Sequence, residues 1–386
     1  MDDGRNFQYI DNDEDLATLC TSMAQASYCT IDTEFIREKT YYPILALIQI
    51  ATDQQQACID PLVIKNFQPL IDLLLNEQLL KIFHSCSQDL EILYQEFACL
   101  PVPVFDTQIA AAVVGYNHQA SYADLVHQIT GVKLEKKHTR ADWSRRPLSE
   151  DELDYAMDDV RYLLPVYESL VDQLKASNRL GWLDKDLKAL SNTERYEVDM
   201  SLLWKRLKGV QKLKGLRLQI ASDLCQWRET IAQQANRPRR WILKDEVIAD
   251  IAKRCPENIE ELKDIRDLGD KMIERHGVNL LEIIAKAKLV DSSLWPHLDK
   301  LKELSVQQQV LGDCLMALCR FIADQNNIAL ATLATRKDID NLIINQKSSR
   351  LMQGWQFEMA GEQLLNFIHG QTTVAVGENG IEFRSD

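Results

Sequence analysis

The strand-length apolar runs of this 386-residue chain fall within its first 106 residues, the last dozen aside, and everything between reads as helix or loop. Tyr28–Glu34, Ile44–Ala51 and Ala57–Asp60 are short, rich in Ile, Leu, Cys and Thr, and divided by turns, as consecutive strands of one sheet would be. The pattern then alternates. Phe67–Leu75 has a 3.6-residue apolar period, Leu80–His84 reads as a buried strand, Asp89–Phe97 is amphipathic, and Val104–Asp106 is a short strand running into Thr107–Gly115. Ser121 opens a helix that stops near Gly131, and Ser149 with Glu152 forms a capping box that starts a long helix through Tyr155 and Asp159. Pro165 must kink or break that helix.

This order predicts a mixed α/β domain over residues 1–175, a polar linker over 176–211, helical domains over 212–290 and 291–376, and a tail over 377–386. The two helical stretches Leu213–Ala287 and Leu301–His369 are alike in length, which suggests tandem and divergently duplicated modules. With 46% hydrophobic residues the chain can fill several cores. The N-terminus shows no basic segment leading into an apolar run, and no stretch approaches the ~20 apolar residues of a membrane span, so secretion and insertion are not expected. Nine cysteines without close paired spacing read as buried thiols of a reducing cytoplasm. No long heptad pattern is visible, and a monomer is the expected state.

A net charge of −14 argues against a nucleic-acid partner until its distribution is considered. Residues 201–255 hold 13 Lys and Arg against 5 Asp and Glu, a local +8, and the remainder carries −22. A second basic stretch, Leu134–Pro147, gathers Lys136, Lys137, His138, Arg140, Arg145 and Arg146 around Trp143. Such stretches either bind phosphates or are solvated faces balanced elsewhere in the fold. Trp143 either stacks a base or plugs the core.

The acids are more specific in combination than singly. Asp32 and Glu34 flank Thr33 on a strand, so both carboxylates project from one face and repel unless a cation compensates them; a strand end running into solvent is the alternative. Asp89 follows the buried strand Leu80–His84 at a helix start, where the dipole alone favours an acid. Tyr155 and Asp159 are spaced i, i+4 on one helical face, with Asp158 rotated about 100° away. Asp106, before Thr107, is either an N-cap or a further metal ligand. His84 and Gln49 are read either as satisfied core residues or as part of the site.

Asp-x-Glu on a strand, an Asp after a later strand and Tyr-x-x-x-Asp on a helix, in that order, resemble the signature of the DEDD exonucleases of the tyrosine subclass. The runs Asp32-Thr33-Glu34-Phe35, Phe105-Asp106-Thr107-Gln108-Ile109-Ala110-Ala111 and His138-Thr139-Arg140-Ala141-Asp142-Trp143-Ser144-Arg145-Arg146-Pro147-Leu148 are similar to those of the ribonuclease D family. The C-terminal stretches, with Trp227-Arg228 and Pro238-Arg239-Arg240-Trp241 in the first and Gly354-Trp355 in the second, resemble HRDC domains. The resemblance implies a ribonuclease H-like mixed sheet flanked by helices and followed by two helical HRDC-like domains.

It also implies 3′-5′ exonuclease activity on RNA with an accessible 3′ end, transfer-RNA precursors included, and release of 5′-mononucleotides. By the same resemblance Asp32, Glu34, Asp89 and Asp159 hold two Mg²⁺ or Mn²⁺ ions and Tyr155 holds the attacking water, while hard oxygen donors exclude zinc. Lys136, Lys137, His138, Arg140, Trp143, Arg145, Arg146, Arg239 and Arg240 are the expected RNA contacts. A DNA exonuclease of the same superfamily and a noncatalytic RNA-binding adaptor are the rival readings. No Gly-x-x-x-x-Gly-Lys-[Ser/Thr] loop is present, so no nucleotide-triphosphate cofactor is expected.

Overall fold

The computed structural model describes residues 6–135, 141–298, 303–345, 349–378 and 380–385. The chain divides into two compact units, one of Met1–Glu34, Leu45–Tyr196 and Lys302–Asp386, the other of Phe35–Ile44 and Glu197–Leu301.

The first unit is built on a six-stranded mixed sheet. In chain order the strands are β1 (Gln8–Ile10), β2 (Tyr28–Ile36), β3 (Ile44–Ala51), β4 (Gln56–Ile59), β5 (Leu80–Phe83) and β6 (Val104–Asp106), and in space they run β1-β4-β3-β2-β5-β6. Pairing is antiparallel between β3 and β4 and parallel for β1 with β4, β2 with β5 and β5 with β6. β3 is apolar at nearly every position and buried along its length, as a central strand covered on both faces must be. β1 is too short to be legible in the sequence.

Helices α1 (Asp13–Met23), α2 (Gln68–Leu75), α3 (Ser87–Phe97), α4 (Thr107–Ala112), α5 (Tyr122–Thr130), α6 (Glu150–Arg161) and α7 (Leu163–Ala176) surround the sheet. Their limits follow local chemistry. Ser121 caps α5 and Gly131, at φ 77°, ends it; Ser149 and Glu152 cap α6 reciprocally. The break anticipated from Pro165 comes at Tyr162, which leaves the proline in the first turn of α7, where its missing N–H costs nothing.

The segment expected as a linker is structured instead. It forms 3₁₀ turns at Leu180–Leu183, Met200–Arg206 and Val210–Lys212 and the helix α8 (Asp184–Leu190), and it buries Leu183, Leu190, Trp204, Leu207 and Val210. Sparse apolar residues at helical spacing suffice to anchor an otherwise polar segment. The second unit then follows with α9 (Leu216–Gln234), α10 (Arg239–Ile242), α11 (Asp245–Arg254), α12 (Ile259–Lys263) and α13 (Asp270–Leu289) around a core that includes Leu224, Ile248, Leu262 and Leu280.

The later helices, α14 (Val306–Gln325), α15 (Leu330–Leu333), α16 (Arg336–Ile344) and a helical run from Gly354 to Ile368, fall within the first compact unit. Leu315, Leu318 and Ile322 share one core with Leu125, Leu163 and Leu170 of the first unit. Trp182 stacks on Trp355 with centroids 4.5 Å apart, and Arg179 donates to the carbonyls of Val113 and Asn326. The last ten residues, expected as a tail, include a strand, β8 (Gly380–Ser385), paired antiparallel with β7 (Thr372–Gly377).

Candidate active site

Strand alternation puts Asp32 and Glu34 of β2 on the sheet face that α6 covers. Thr30, two residues earlier on that face, fixes α6 there by donating its hydroxyl to the carbonyl of Val160 at 3.0 Å. Asp159 is thereby brought over β2, and carboxylate oxygens of Asp32, Glu34 and Asp159 lie within 4.8 Å of one another. Asp158 points elsewhere, its carboxylate taken by Arg161 at 2.5 Å, which resolves the adjacent-acid ambiguity.

Asp89 arrives from another direction. It is the third residue of α3, it is buried, and it accepts the Thr33 hydroxyl at 2.6 Å, so it stands beside the three-acid cluster rather than within it. In the sequence Thr33 is only the spacer of Asp-x-Glu; pointing away from its neighbours, it holds the fourth acid. Tyr122 likewise carries no signal in the sequence. Its hydroxyl donates to the carbonyl of Asp158 at 2.7 Å, and burial, then Asp159 and Asp32, hold its pKa above the usual phenol value.

The electrostatics call for a cation. Burial first, and then Asp89, Asp159 and Glu34, push the Asp32 carboxyl well above the carboxylate range. Glu34 is raised to about 8 by burial and by Asp159 and Asp89, and Asp159 to about 7 by burial and by Asp158 and Asp89. Asp89 reaches only about 6, burial being opposed by the hydrogen bond from Thr33. Such a set loses its protons when a divalent cation takes their place, and all-oxygen donors fit Mg²⁺ or Mn²⁺. His84 is occupied by Thr107 Oγ1 at 2.9 Å and the carbonyl of Ala120 at 3.1 Å. Gln49 is fully buried, and its amide nitrogen and oxygen have no hydrogen-bond partner among the described residues.

Tyr155, half-buried on α6, has its pKa pushed up to about 12 by burial and by Asp159, Glu34 and Asp32. Trp143 backs it with ring planes 24° apart and is itself 4% exposed, so this indole fills the core instead of receiving a base. Arg146 is likewise consumed. Its guanidinium pairs with buried Asp60 and donates to the carbonyls of Ala46 at 2.6 Å and Trp143 at 2.7 Å, holding the loop down. Arg145 donates to both oxygens of Glu152 at 3.1 Å, yet its side chain remains 60% exposed. Lys136, Lys137, His138 and Arg140 lie outside the described residues.

In the second unit Arg239 is tied to buried Glu229 and lies over the Tyr41 ring at 5.0 Å, which removes it from the expected RNA contacts. Arg240 is 66% exposed, 3.7 Å from Glu246, and Trp241 beside it is 59% exposed. Lys205, Arg206, Lys208, Lys212, Lys214 and Arg217 add an exposed basic stretch.

Residues 7–175 match the family model described as 3′-5′ exonuclease, and residues 217–284 match that of the HRDC domain. Ribonuclease D of Granulibacter bethesdensis is 36% identical over 371 residues, 95% of this chain and 94% of that protein, and ribonuclease D of Bartonella henselae is 35% identical over 95% and 91%. The chain belongs to the ribonuclease D family. The crystal structure of Escherichia coli RNase D, described as an exoribonuclease involved in structured RNA processing, superposes with a TM-score of 0.84 at 30% identity, over 95% of this chain and 99% of that one. The catalytic core of Trypanosoma brucei RRP6 is 26% identical with a TM-score of 0.58, over 72% and 79% of the two chains. The protein is a 3′-5′ exoribonuclease with an exonuclease domain and an HRDC domain. The family thus favours enzyme over noncatalytic adaptor, and RNA over DNA.

Proposed function

We propose that Asp32, Glu34, Asp89 and Asp159 hold two divalent metal ions and that this site removes 5′-mononucleotides from the 3′ ends of transfer-RNA precursors and other small structured RNAs. The observation that carries the reading is the cluster of Asp32, Glu34 and Asp159 with oxygens within 4.8 Å, each carboxyl raised by burial first and then by neighbouring acids, Asp89 among them in every case. Bound metal would supply charge neutralisation of the scissile phosphate and a water of lowered pKa. Thr33 keeps Asp89 ionisable and aimed beside the cluster. Tyr155, a phenol at about 12, stays protonated at neutral pH and orients the attacking water by hydrogen bonding, not by taking its proton. Arg145 near the site and Arg240, with Trp241, on the second unit are the proposed phosphate and base contacts.

The helices from α14 onward are proposed as a second, divergent HRDC-like module. In support, Asn236 and Asn327 both adopt left-handed φ, 44° and 49°, after long helices of 19 and 20 residues. Each precedes a four-residue helix and then one of 10 or 9 residues, and the bonds Arg237 N–H to Ala232 and Ile328 N–H to Ala323 correspond at 2.9 Å. Its role would be to brace the exonuclease core, because its apolar face is spent there. A monomer in the cytoplasm is also proposed; among the described residues the cysteines form no disulfide and no helix is long and apolar enough to cross a membrane.

The test compares a 5′-labelled RNA carrying a single-stranded 3′ tail with its DNA equivalent, with Mg²⁺, with Mn²⁺ and with chelator. A metal-dependent ladder from the 3′ end of RNA, lost in Asp32→Asn while RNA binding persists, is the expected result. Equal digestion in chelator would refute the metal site, and faster digestion of DNA would refute the substrate.

A further inference from the structure

Asp106 carries more than the cap of one short helix. It ends β6 directly opposite Phe83, the last residue of β5, and the residue is 3% exposed. Oδ1 accepts the N–H groups of Gln108 at 2.8 Å and Ile109 at 3.3 Å, which is the N-cap of α4 expected from the sequence. The same oxygen accepts the N–H of Ser85 at 3.1 Å, and Oδ2 accepts the N–H of Cys86 at 2.9 Å. Those two donors belong to the turn that leads from β5 into α3.

Within that turn the backbone supplies one bond, from the Ser87 N–H to the Ser85 carbonyl at 2.9 Å, and it leaves the Ser85 and Cys86 N–H groups to be met from outside. Ser85 sits at φ 58°, a region that a residue with a Cβ seldom adopts, and Cys86 at the N-cap of α3 makes no side-chain capping bond. The Asp106 carboxylate supplies from a neighbouring strand what a capping residue would supply locally. Asp89 lies three residues beyond Cys86, in the first turn of α3, with its carboxylate on the Thr33 hydroxyl. Its backbone is therefore referenced to Asp106 and its side chain to Thr33.

We propose that Asp106 is a positioning residue of the exonuclease: by gripping the Ser85 and Cys86 N–H groups it fixes the first turn of α3 and so the place of Asp89, without touching metal or RNA. The inference rests on the metal-binding role of Asp89 proposed above. Small displacements of a ligand at a reacting centre are costly, of order 100-fold in rate for about 1 Å.

The experiment separates this role from capping of α4. In Asp106→Ser the hydroxyl still caps Gln108 and Ile109 but is too short to reach the Ser85–Cys86 turn. Asp106→Asn, which keeps one acceptor oxygen, is the second variant should the serine protein fail to fold. Each is also made with Ser85→Gly, since glycine holds a left-handed turn without steric cost. The readouts are kcat and KM on tailed RNA, Mn²⁺ binding without RNA by the paramagnetic resonance of free Mn²⁺, and the melting curve.

The expected result is a kcat lowered roughly 10- to 100-fold with KM within about threefold, as for a misplaced ligand. Mn²⁺ titration should be weakened, and Ser85→Gly should restore most of both losses. Wild-type kcat and Mn²⁺ binding in both variants would overturn the proposal, as would a loss that follows melting temperature alone and ignores Ser85→Gly. Asp89→Asn, measured alongside, tells two failures apart. If it too leaves kcat and Mn²⁺ binding intact, the reading of the metal site has failed and the role of Asp106 falls with it. If it abolishes both while the Asp106 variants do not, only the positioning role is refuted.

Discussion

Without metal the acidic cluster should destabilise the protein, and Glu34→Gln isolates the effect. The Glu34 carboxyl titrates near 4.5 when unfolded and about 8 in the folded protein, raised by burial and by Asp159 and Asp89. A carboxyl raised on folding contributes its full stability below the unfolded value and loses it as pH climbs to the folded one, because the unfolded chain releases the proton first. At pH 7.5 the loss spans about three units, an upper bound of about 4 kcal/mol at 1.36 kcal/mol per unit. Neighbours that share protons cut this to about 2 kcal/mol as a working figure.

Gln has the shape of the protonated acid and no such liability. In chelator at pH 7.5, Glu34→Gln should therefore raise the melting temperature of the first unit by roughly 4–8 °C, taking about 2–4 °C per kcal/mol for a domain of this size. At pH 5, half a unit above the unfolded value, the gain should fall below about 1 kcal/mol. Saturating Mg²⁺ or Mn²⁺ should reverse the order, since ligand at 100 times its dissociation constant stabilises the wild type by about 2.7 kcal/mol and the variant by less. Calorimetry at the two pH values, with chelator and with metal, reads all four cases. A gain in chelator that is equal at pH 5 and 7.5, or no gain at either, would refute the electrostatic account of the cluster.

Tyr155→Phe should lower kcat about 100-fold with KM nearly unchanged and no alkaline limb removed below pH 9, because a phenol at about 12 orients water without titrating; steady-state pH profiles check it. Trp143→Ala should cost about 3–5 kcal/mol in a thermal melt and lower kcat by freeing Tyr155, whereas Trp143→Phe, which keeps a ring against the phenol, should retain most of both. Arg240→Ala should raise the apparent Kd for RNA and reduce the salt slope by about one in a binding titration. Arg239→Ala, which strands buried Glu229, should instead destabilise the second unit by about 2 kcal/mol, since Arg239 is itself half exposed.

What the sequence made legible is what neighbouring residues decide. Ser121 with Gly131, Ser149 with Glu152, the alternation of Asp32 and Glu34, and the i, i+4 step from Tyr155 to Asp159 each depend on a handful of consecutive backbone positions, and each reappears in the structure. What the sequence hides is decided by partners beyond those few consecutive positions, 10 residues away for Arg239 and 86 for Arg146. Arg145 and Arg146 are indistinguishable in sequence, yet one stays largely exposed while the other is used up by Asp60, 86 residues away. Arg239 and Arg240 repeat the contrast, one spent on Glu229 and one left to solvent. The fold decides how much of each guanidinium a partner covers: Arg145 pairs with Glu152 and stays 60% exposed, whereas Arg146, held by Asp60 and by backbone carbonyls, is 22% exposed. A count of basic residues therefore overstates the cations available to phosphate, and it does so most where the chain is folded tightly. The same reasoning accounts for Thr33 and Asp106. Thr33 has no charge and Asp106 reads in sequence as a cap or a ligand, but each makes a hydrogen bond with an element from elsewhere in the chain, and together they fix where Asp89 stands.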